Sequence, residues 1–471
     1  MIQNGFNAPT AYAGLARLEL KQNRLAEAAD AANKGMELGP NLAATHIALG
    51  EVYFRQGKIE EAGDEFRKLV QANTSDARAY YGMSRVMHVS SYHEREKLLL
   101  DRAHELSGND LDIRRAWISS LNLTDRIKEM RGTLGEDTPN AAERASTEKQ
   151  LAKLVEIAKQ PPRTCRMAGG VKSTQTDLQP MMYDAKRAKG YGLPVKLNGT
   201  SSRLLLDTGA GGITITKRIA EKAGIQKMFD TSIGGIGDLG NQAGYVGYAD
   251  SVKIGDLEFH DCYVEVMEKN FLEGEDGLLG ADVFSDFLVD LDFPNQKLRL
   301  SELPDDPQQA EKPAGLDSPV AATRQHHDRY VAPEMKGFTP VYRQGHELLL
   351  PTRVNDKAKV FFLIDTGSVE NMISLDAARQ NVKVGETDAF RVKGINGEVK
   401  KVFRAQDVML QFAGFKPRMS TMLCLDMAKI SNDTGTEVSG VYGFAVLHML
   451  EMKIDYRDGL VDLKFDPKRF Y

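Results

Sequence analysis

The strongest constraint on this 471-residue chain is that one pattern is written into it twice. Leu204-Leu205-Leu206-Asp207-Thr208-Gly209-Ala210 returns as Phe362-Leu363-Ile364-Asp365-Thr366-Gly367-Ser368. Each copy follows a short strand-like stretch (193–199 and 350–356). Each leads into a β segment (213–216 and 372–374), a short helical segment (217–223 and 375–380) and a glycine-bearing hairpin (233–240 and 392–397). Further on, Gly277-Leu278-Leu279-Gly280 matches Gly440-Val441-Tyr442-Gly443, and Asp292 matches Asp455. Three apolar residues before each aspartate describe a buried strand that holds the carboxylate rigidly. One Asp-Thr-Gly is only a turn at a strand end, but two copies with matching downstream motifs require one fold repeated. Two mainly-β lobes are therefore expected, at 163–303 and 337–471. The stretch 304–336, rich in Pro, Asp, Gln and Ala, reads as a linker, and the adjacent His326 and His327 belong to it.

The N-terminal part has a different texture. Tyr12, His46 and Tyr80 recur every 34 residues, as do Leu15, Leu49 and Met83, and Ala32, Phe66 and Leu100. Ala28 and Ala62 keep the register, Glu96 breaks it, and Pro40 closes the first unit. The period resembles the tetratricopeptide repeat, a helix–turn–helix unit, most clearly over 41–74 with Leu49, Gly50, Tyr53, Ala62 and Phe66. By that resemblance, repeats span 1–115, stack into a solenoid and offer a concave face to a protein partner or a peptide. A helical connector follows over 116–162, ended by Pro161 and Pro162. The fold class is thus multidomain: all-α repeats, then two β lobes forming a pseudo-dimer.

The duplicated motif resembles that of the retropepsin-like aspartic peptidases: apolar residues, Asp-Thr-Gly-Ala or Asp-Thr-Gly-Ser, then apolar-apolar-Gly. The chain is similar to bacterial aspartyl proteases with two lobes fused in tandem. The resemblance implies Asp207 and Asp365 as the catalytic pair. It implies Thr208, Gly209, Ala210, Thr366, Gly367 and Ser368 as support of the two catalytic loops, the threonines bonding across the lobe interface. Gly235, Ile236 and Gly237, with Gly394, Ile395 and Asn396, correspond to flaps that close over an extended peptide. Ser368 can offer Asp365 a hydroxyl that Ala210 cannot offer Asp207. Asp282, which in such proteins braces the site, faces Ala445 in the second copy, a sign of drift there.

The chemistry suits the residues. Two carboxylates held together cannot both ionise easily, so they share a proton. The ionised one can activate water while the protonated one polarises the scissile carbonyl. No cofactor or metal is needed. The expected activity is aspartic endopeptidase acting on extended peptides or unfolded protein. A catalytically inactive peptide-binding pseudo-protease and a repeat-based scaffold are the alternatives.

A net charge of −5 gives no reason to expect nucleic acid as partner. No apolar run is long enough to span a bilayer. No signal peptide is visible at 1–5, where the chain enters helical pattern almost at once, so a targeting segment could have been removed. Similar bacterial proteins are often exported, which points toward the periplasm or secretion. Cys165, Cys262 and Cys424 are odd in number and far apart, which reads as buried unpaired thiols rather than a disulfide framework or metal site.

Overall fold

The computed structural model describes residues 8–136, 141–159, 165–184, 187–269, 274–307, 328–357, 359–387 and 392–467. They divide into two compact units. One comprises Met1–His88, Tyr92–Arg163 and Gln325–Asp328, the other Val89–Ser91, Thr164–Arg324 and Arg329–Tyr471.

The first unit is an array of helices: α1 (Pro9–Lys21), α2 (Leu25–Leu38), α3 (Ala43–Arg55), α4 (Ile59–Gln71), α5 (Ala77–Val89) and α6 (His93–Leu106), then α7 (Leu111–Ser120), α8 (Leu123–Glu136) and α9 (Ala141–Ala158). Helices α1 and α2 pack as a pair, and so do α3 and α4. Buried Ala13, Ala16, Ala28 and Ala32 let the backbones approach closely at the crossing. Phe66 of α4 shows the same economy of space. Its ring lies against Gly50 of α3 and Gly82 of α5, where a β-carbon would collide with it. Ala77 and Tyr80 of α5 close on Ala103 of α6 and Ile113 of α7. Pro161 and Pro162, and His326 and His327, lie outside the described residues.

The first lobe of the second unit contains β1 (Arg166–Ala168), β2 (Ser173–Asp177), β3 (Gln179–Met182), β4 (Ala188–Leu197), β5 (Thr200–Asp207) and β6 (Ile213–Thr216). After helix α10 (Lys217–Lys222) come β7 (Lys227–Ile233), β8 (Gln242–Ile254), β9 (Leu257–Met267), β10 (Gly277–Gly280), β11 (Phe287–Asp292) and β12 (Lys297–Glu302). The second lobe runs β13 (Thr339–Pro340), β14 (Tyr342–Gln344), β15 (Glu347–Val354), β16 (Lys359–Ile364) and β17 (Met372–Ser374), then helix α11 (Leu375–Asn381). It continues with β18 (Lys383–Glu386), the hairpin β19 (Val392–Gly394) and β20 (Gly397–Val399), β21 (Phe403–Gln411) and β22 (Arg418–Leu425). It ends with β23 (Gly440–Tyr442), β24 (Leu450–Asp455) and β25 (Leu460–Phe465).

The duplication in sequence is a duplication in topology. In the first lobe β10 lies parallel to β5 and antiparallel to β6. In the second, β23 lies parallel to β16 and antiparallel to β17. Parallel pairs of β6 with β9 and β17 with β22 complete the match. All three apolar residues before each aspartate are buried, as the strand reading requires.

The lobes are joined by a shared sheet in the order β13-β25-β24-β11-β12-β2. Here β11 of the first lobe pairs antiparallel with β24 of the second, from Leu288↔Asp455 to Asp292↔Glu451. This one continuous ladder of five paired positions fixes the lobes' mutual register. At the far end of 304–336, Ala332 and Met335 pack with Leu460, so residues after Asp328 are held by the β unit.

The cysteine reading needs correction. Cys165 and Cys262 form a disulfide, and only Cys424 is a buried free thiol. Two cysteines 97 residues apart become neighbours because β1 pairs antiparallel with β9, setting Arg166 opposite His260. Linear spacing carries no trace of that pairing. Closing so long a loop restricts the unfolded chain, so Cys262→Ser should destabilise the β unit by about 2–4 kcal/mol. Denaturant unfolding under oxidising and reducing conditions checks this, since reduction should bring wild type down to the variant.

Candidate active site

Asp207 is the last residue of β5, and Asp365 follows the last residue of β16. Both are nine-tenths buried. The strands β10 and β23 run behind them, with Gly280 in register with Asp207 and the Tyr442 carbonyl accepting from the Asp365 N–H (3.0 Å). The two loops then meet face to face. The Thr208 N–H donates to Thr366 Oγ1 and the Thr366 N–H to Thr208 Oγ1, each at 3.1 Å. Each hydroxyl donates onward to the opposite strand, Thr208 to Ile364 O and Thr366 to Leu206 O, each at 2.8 Å. Four symmetric hydrogen bonds thus lock the loops tip to tip.

The glycines explain how close the loops come. A β-carbon on Gly209 would lie 2.6 Å from Cγ of Asp365. One on Gly367 would collide with the Asp207 carboxylate. Each aspartate therefore lies over the glycine of the other motif, and the two carboxyl groups sit beside one another.

The pair is not symmetric. Asp365 Oδ1 accepts two backbone N–H groups, from Gly367 (2.9 Å) and Ser368 (3.0 Å). Asp207 Oδ1 accepts one, from Gly209 (2.8 Å). Burial and the neighbouring Asp365 charge push Asp207 well above the usual carboxylate range. Burial also raises Asp365, but a hydrogen bond from Asp207 and those two N–H groups oppose it. These unequal surroundings favour the shared proton on Asp207 and the charge on Asp365. The Ser368 hydroxyl does not serve Asp365 as the sequence suggested. It donates to Glu370 O (3.2 Å), and the bond from Ser368 to the carboxylate comes from its backbone N–H instead.

Asp282 accepts from the Gly212 N–H (2.9 Å) and so braces the first loop. Ala445 cannot do this in the second lobe. There Asn371 accepts from the Gly443 N–H (2.9 Å), and the N–H groups of Phe444 and Ala445 donate to Ser368 O and Val369 O. The second loop is braced by different groups.

Sequence reasoning missed His346 and Glu347, a polar pair heading the apolar run of β15. His346 lies 3.2 Å from Gly209 O and packs against Gly211, bringing a second-lobe imidazole to the first loop. Glu347 is pushed up to about 7 by burial and by Asp433, and its charge in turn raises Asp365.

Both hairpins expected as flaps are present, and they interlock. The Asn396 N–H donates to Ile236 O and the Leu239 N–H to Asn396 O, each at 2.9 Å. Asn396 Nδ2 donates to Gly235 O (2.8 Å), and Asp238 accepts from the Lys400 N–H (2.8 Å). Gly237 takes a φ of +134° beside the Asn396 carbonyl, a conformation and a space that favour glycine. Gly394 lies against Ile236 in the same way. Ile395 packs with Met181, Leu205, Leu278 and Ala210, next to the strand that carries Asp207.

Raised carboxyls set a pH dependence. Asp455, buried beside Asp458, is also pushed up to about 7. These groups keep their protons in the folded state above the ordinary carboxylate range of about 4. Their stabilising contribution is complete below that range and is lost as pH rises through the folded values, so the β unit should be less stable at pH 7.5 than at pH 4.5. The helical unit should behave oppositely at its acid end. Hydrogen bonds from His88 and His93 outweigh burial and hold Glu96 at about 2, a contribution lost as pH falls through that value. Calorimetric scans across pH, with Asp455→Asn flattening the slope of the β transition, check both signs.

Two lobes of one topology, each delivering an aspartate to a common centre, define the class: the C-terminal part of the chain carries an aspartyl protease domain. Residues 193–286 match the family described as gag-polyprotein putative aspartyl protease. Among solved structures, the aspartic proteinase from Irpex lacteus is similar at 12% identity, over 63% of this chain and 98% of that one, with a TM-score of 0.38. No curated protein matches. Among the described residues no helix is long and apolar enough to cross a membrane.

Proposed function

We propose that the β unit is an aspartic endopeptidase whose catalytic pair is Asp207 and Asp365. The observation that carries the reading is the pair of buried carboxyls, each lying over the other motif's glycine and unequal in the backbone N–H groups they accept. Asp365, the more easily ionised, takes a proton from the attacking water. Asp207, which holds the shared proton, hydrogen-bonds the scissile carbonyl, and the proton gained by Asp365 then passes to the leaving nitrogen. The threonine lock keeps both carboxyls within the tolerance that such chemistry needs. Substrate is an extended peptide or unfolded segment, admitted when the interlocked hairpins part. Gly235, Ile236, Gly237, Gly394, Ile395 and Asn396 then cover it and exclude water.

The helical array, with its paired helices and 34-residue period, is a tetratricopeptide-type platform for substrate or partner. The Cys165–Cys262 disulfide favours an oxidising compartment, in keeping with an exported protein. A peptide library incubated with the full chain between acidic and neutral pH tests the activity. Cleavage blocked by a statine-type inhibitor supports it; binding of peptides without any turnover across that range would leave a pseudo-protease.

A further inference from the structure

The helical unit holds a second cluster of chemistry that the peptidase reading does not use. His88, near the end of α5, and His93 and Glu96, in the first turns of α6, converge on one another. Nδ1 of His88 lies 2.9 Å from Glu96 Oε1, and Nδ1 of His93 lies 3.1 Å from Glu96 Oε2. The two rings meet edge to face at 5.8 Å. Among the described residues this is the one trio of His, Cys, Asp or Glu side chains whose ligand atoms all lie within 4.8 Å of one another.

We infer that His88, His93 and Glu96 bind a divalent transition metal of the zinc class. Three features carry this beyond an ordinary ion pair. First, the donor set is two imidazoles and a carboxylate, which suits zinc and leaves a fourth position for water. Second, the spacing already fits. Ligand atoms about 2.0–2.1 Å from a tetrahedral ion lie about 3.3 Å from each other, close to both nitrogen–oxygen distances seen here. The third pair, the two imidazole nitrogens, also lies within 4.8 Å. Third, the neighbouring cations are engaged elsewhere. Arg95 bonds Asp328 (3.0 Å) and lies over the Tyr92 ring, while Lys97 bonds Asp101 (2.7 Å).

The frame is fixed as well. Asp328 accepts from the N–H groups of Glu94 and Arg95, capping the turn that presents His93 and Glu96. His88 is 38% exposed along its side chain, so an ion can enter from solvent. The ion would clip the end of α5 to the start of α6. This revises the expectation of no metal, which concerned the catalytic centre and the cysteines.

The test uses the full chain stripped by a chelator, titrated with zinc chloride by calorimetry and with cobalt(II) by absorption. The expected result is one ion per chain, bound with Kd of about 1 µM or tighter at pH 7.5. Cobalt should show the bands of a nitrogen–oxygen ligand set. His88→Ala and Glu96→Gln should each weaken binding at least about tenfold. A double variant His326→Ala/His327→Ala should bind like wild type. Binding weaker than about 1 mM, or binding that survives both His88→Ala and Glu96→Gln, overturns the inference. So does loss of binding in the His326/His327 variant alone. Circular dichroism reports whether each variant keeps its helices; where His88→Ala does not, Glu96→Gln and the wild-type cobalt spectrum decide.

Discussion

Asp207→Asn and Asp365→Asn should each lower kcat by at least about a thousandfold while leaving the fold intact. The two losses have different causes. In the proposed mechanism Asp365 takes the proton from water, and an amide cannot. Asp207 there polarises the carbonyl through an acidic O–H, and an amide N–H polarises it far less. Stability separates these effects from damage. Asp207 is buried with its carboxyl held well above its usual range, so folding at neutral pH opposes its ionisation. Asparagine removes that penalty and imitates the protonated carboxyl, so Asp207→Asn should melt at or above the wild-type temperature at pH 7.5. Cleavage of one library peptide, with thermal melts on the same samples, checks both halves. Turnover in both variants at the wild-type rate would falsify the assignment of the pair.

Thr366→Val should be the most destabilising conservative change in the β unit. The side chain is of nearly the same shape, so the effect is polar. Thr366 Oγ1 accepts the Thr208 N–H and donates to Leu206 O, and both threonines are buried. Valine leaves that N–H and that carbonyl without partners and out of reach of water. At about 1–3 kcal/mol for each stranded group, the loss should be roughly 2–5 kcal/mol. Thr208→Val should cost a similar amount, because the Thr366 N–H and Ile364 O depend on it in the same way. Activity should fall further than stability explains, since the bonds also set the distance between the carboxyls, and a misplacement of about 1 Å can cost a hundredfold. Denaturant unfolding and kcat measured on folded protein separate the two. A loss under about 0.5 kcal/mol would mean that the loops are held by the shared sheet rather than by the threonines.

Much of this was legible in the linear pattern because it rests on local rules. Apolar runs before Asp207 and Asp365 had to be buried strands, and both are. The segment Ile213–Thr216 had to follow the first loop as a strand, and Met372–Ser374 the second. The 34-residue period had to give paired helices, because each helix has one apolar face to cover. Features joining distant positions left weaker traces. Nothing in the spacing of Cys165 and Cys262 shows that β1 lies beside β9. His346 looks like the polar start of a strand until the fold sets it beside the other lobe's loop. Ser368 does donate to Asp365, but through its backbone N–H rather than its hydroxyl, and only the folded loop shows which.

The sequence by itself determined the two lobes, the two aspartates and the helical array. Repetition of a short motif is visible without coordinates, and burial follows from composition along each strand. Tertiary structure decided that the two aspartates are unequal, because that depends on counting N–H groups aimed at each carboxyl. It also decided how the hairpins interlock, how the second loop is braced without an aspartate at Ala445, and which cysteines pair. Each of these is a difference between groups brought within about 3 Å by packing, the range over which hydrogen bonds form.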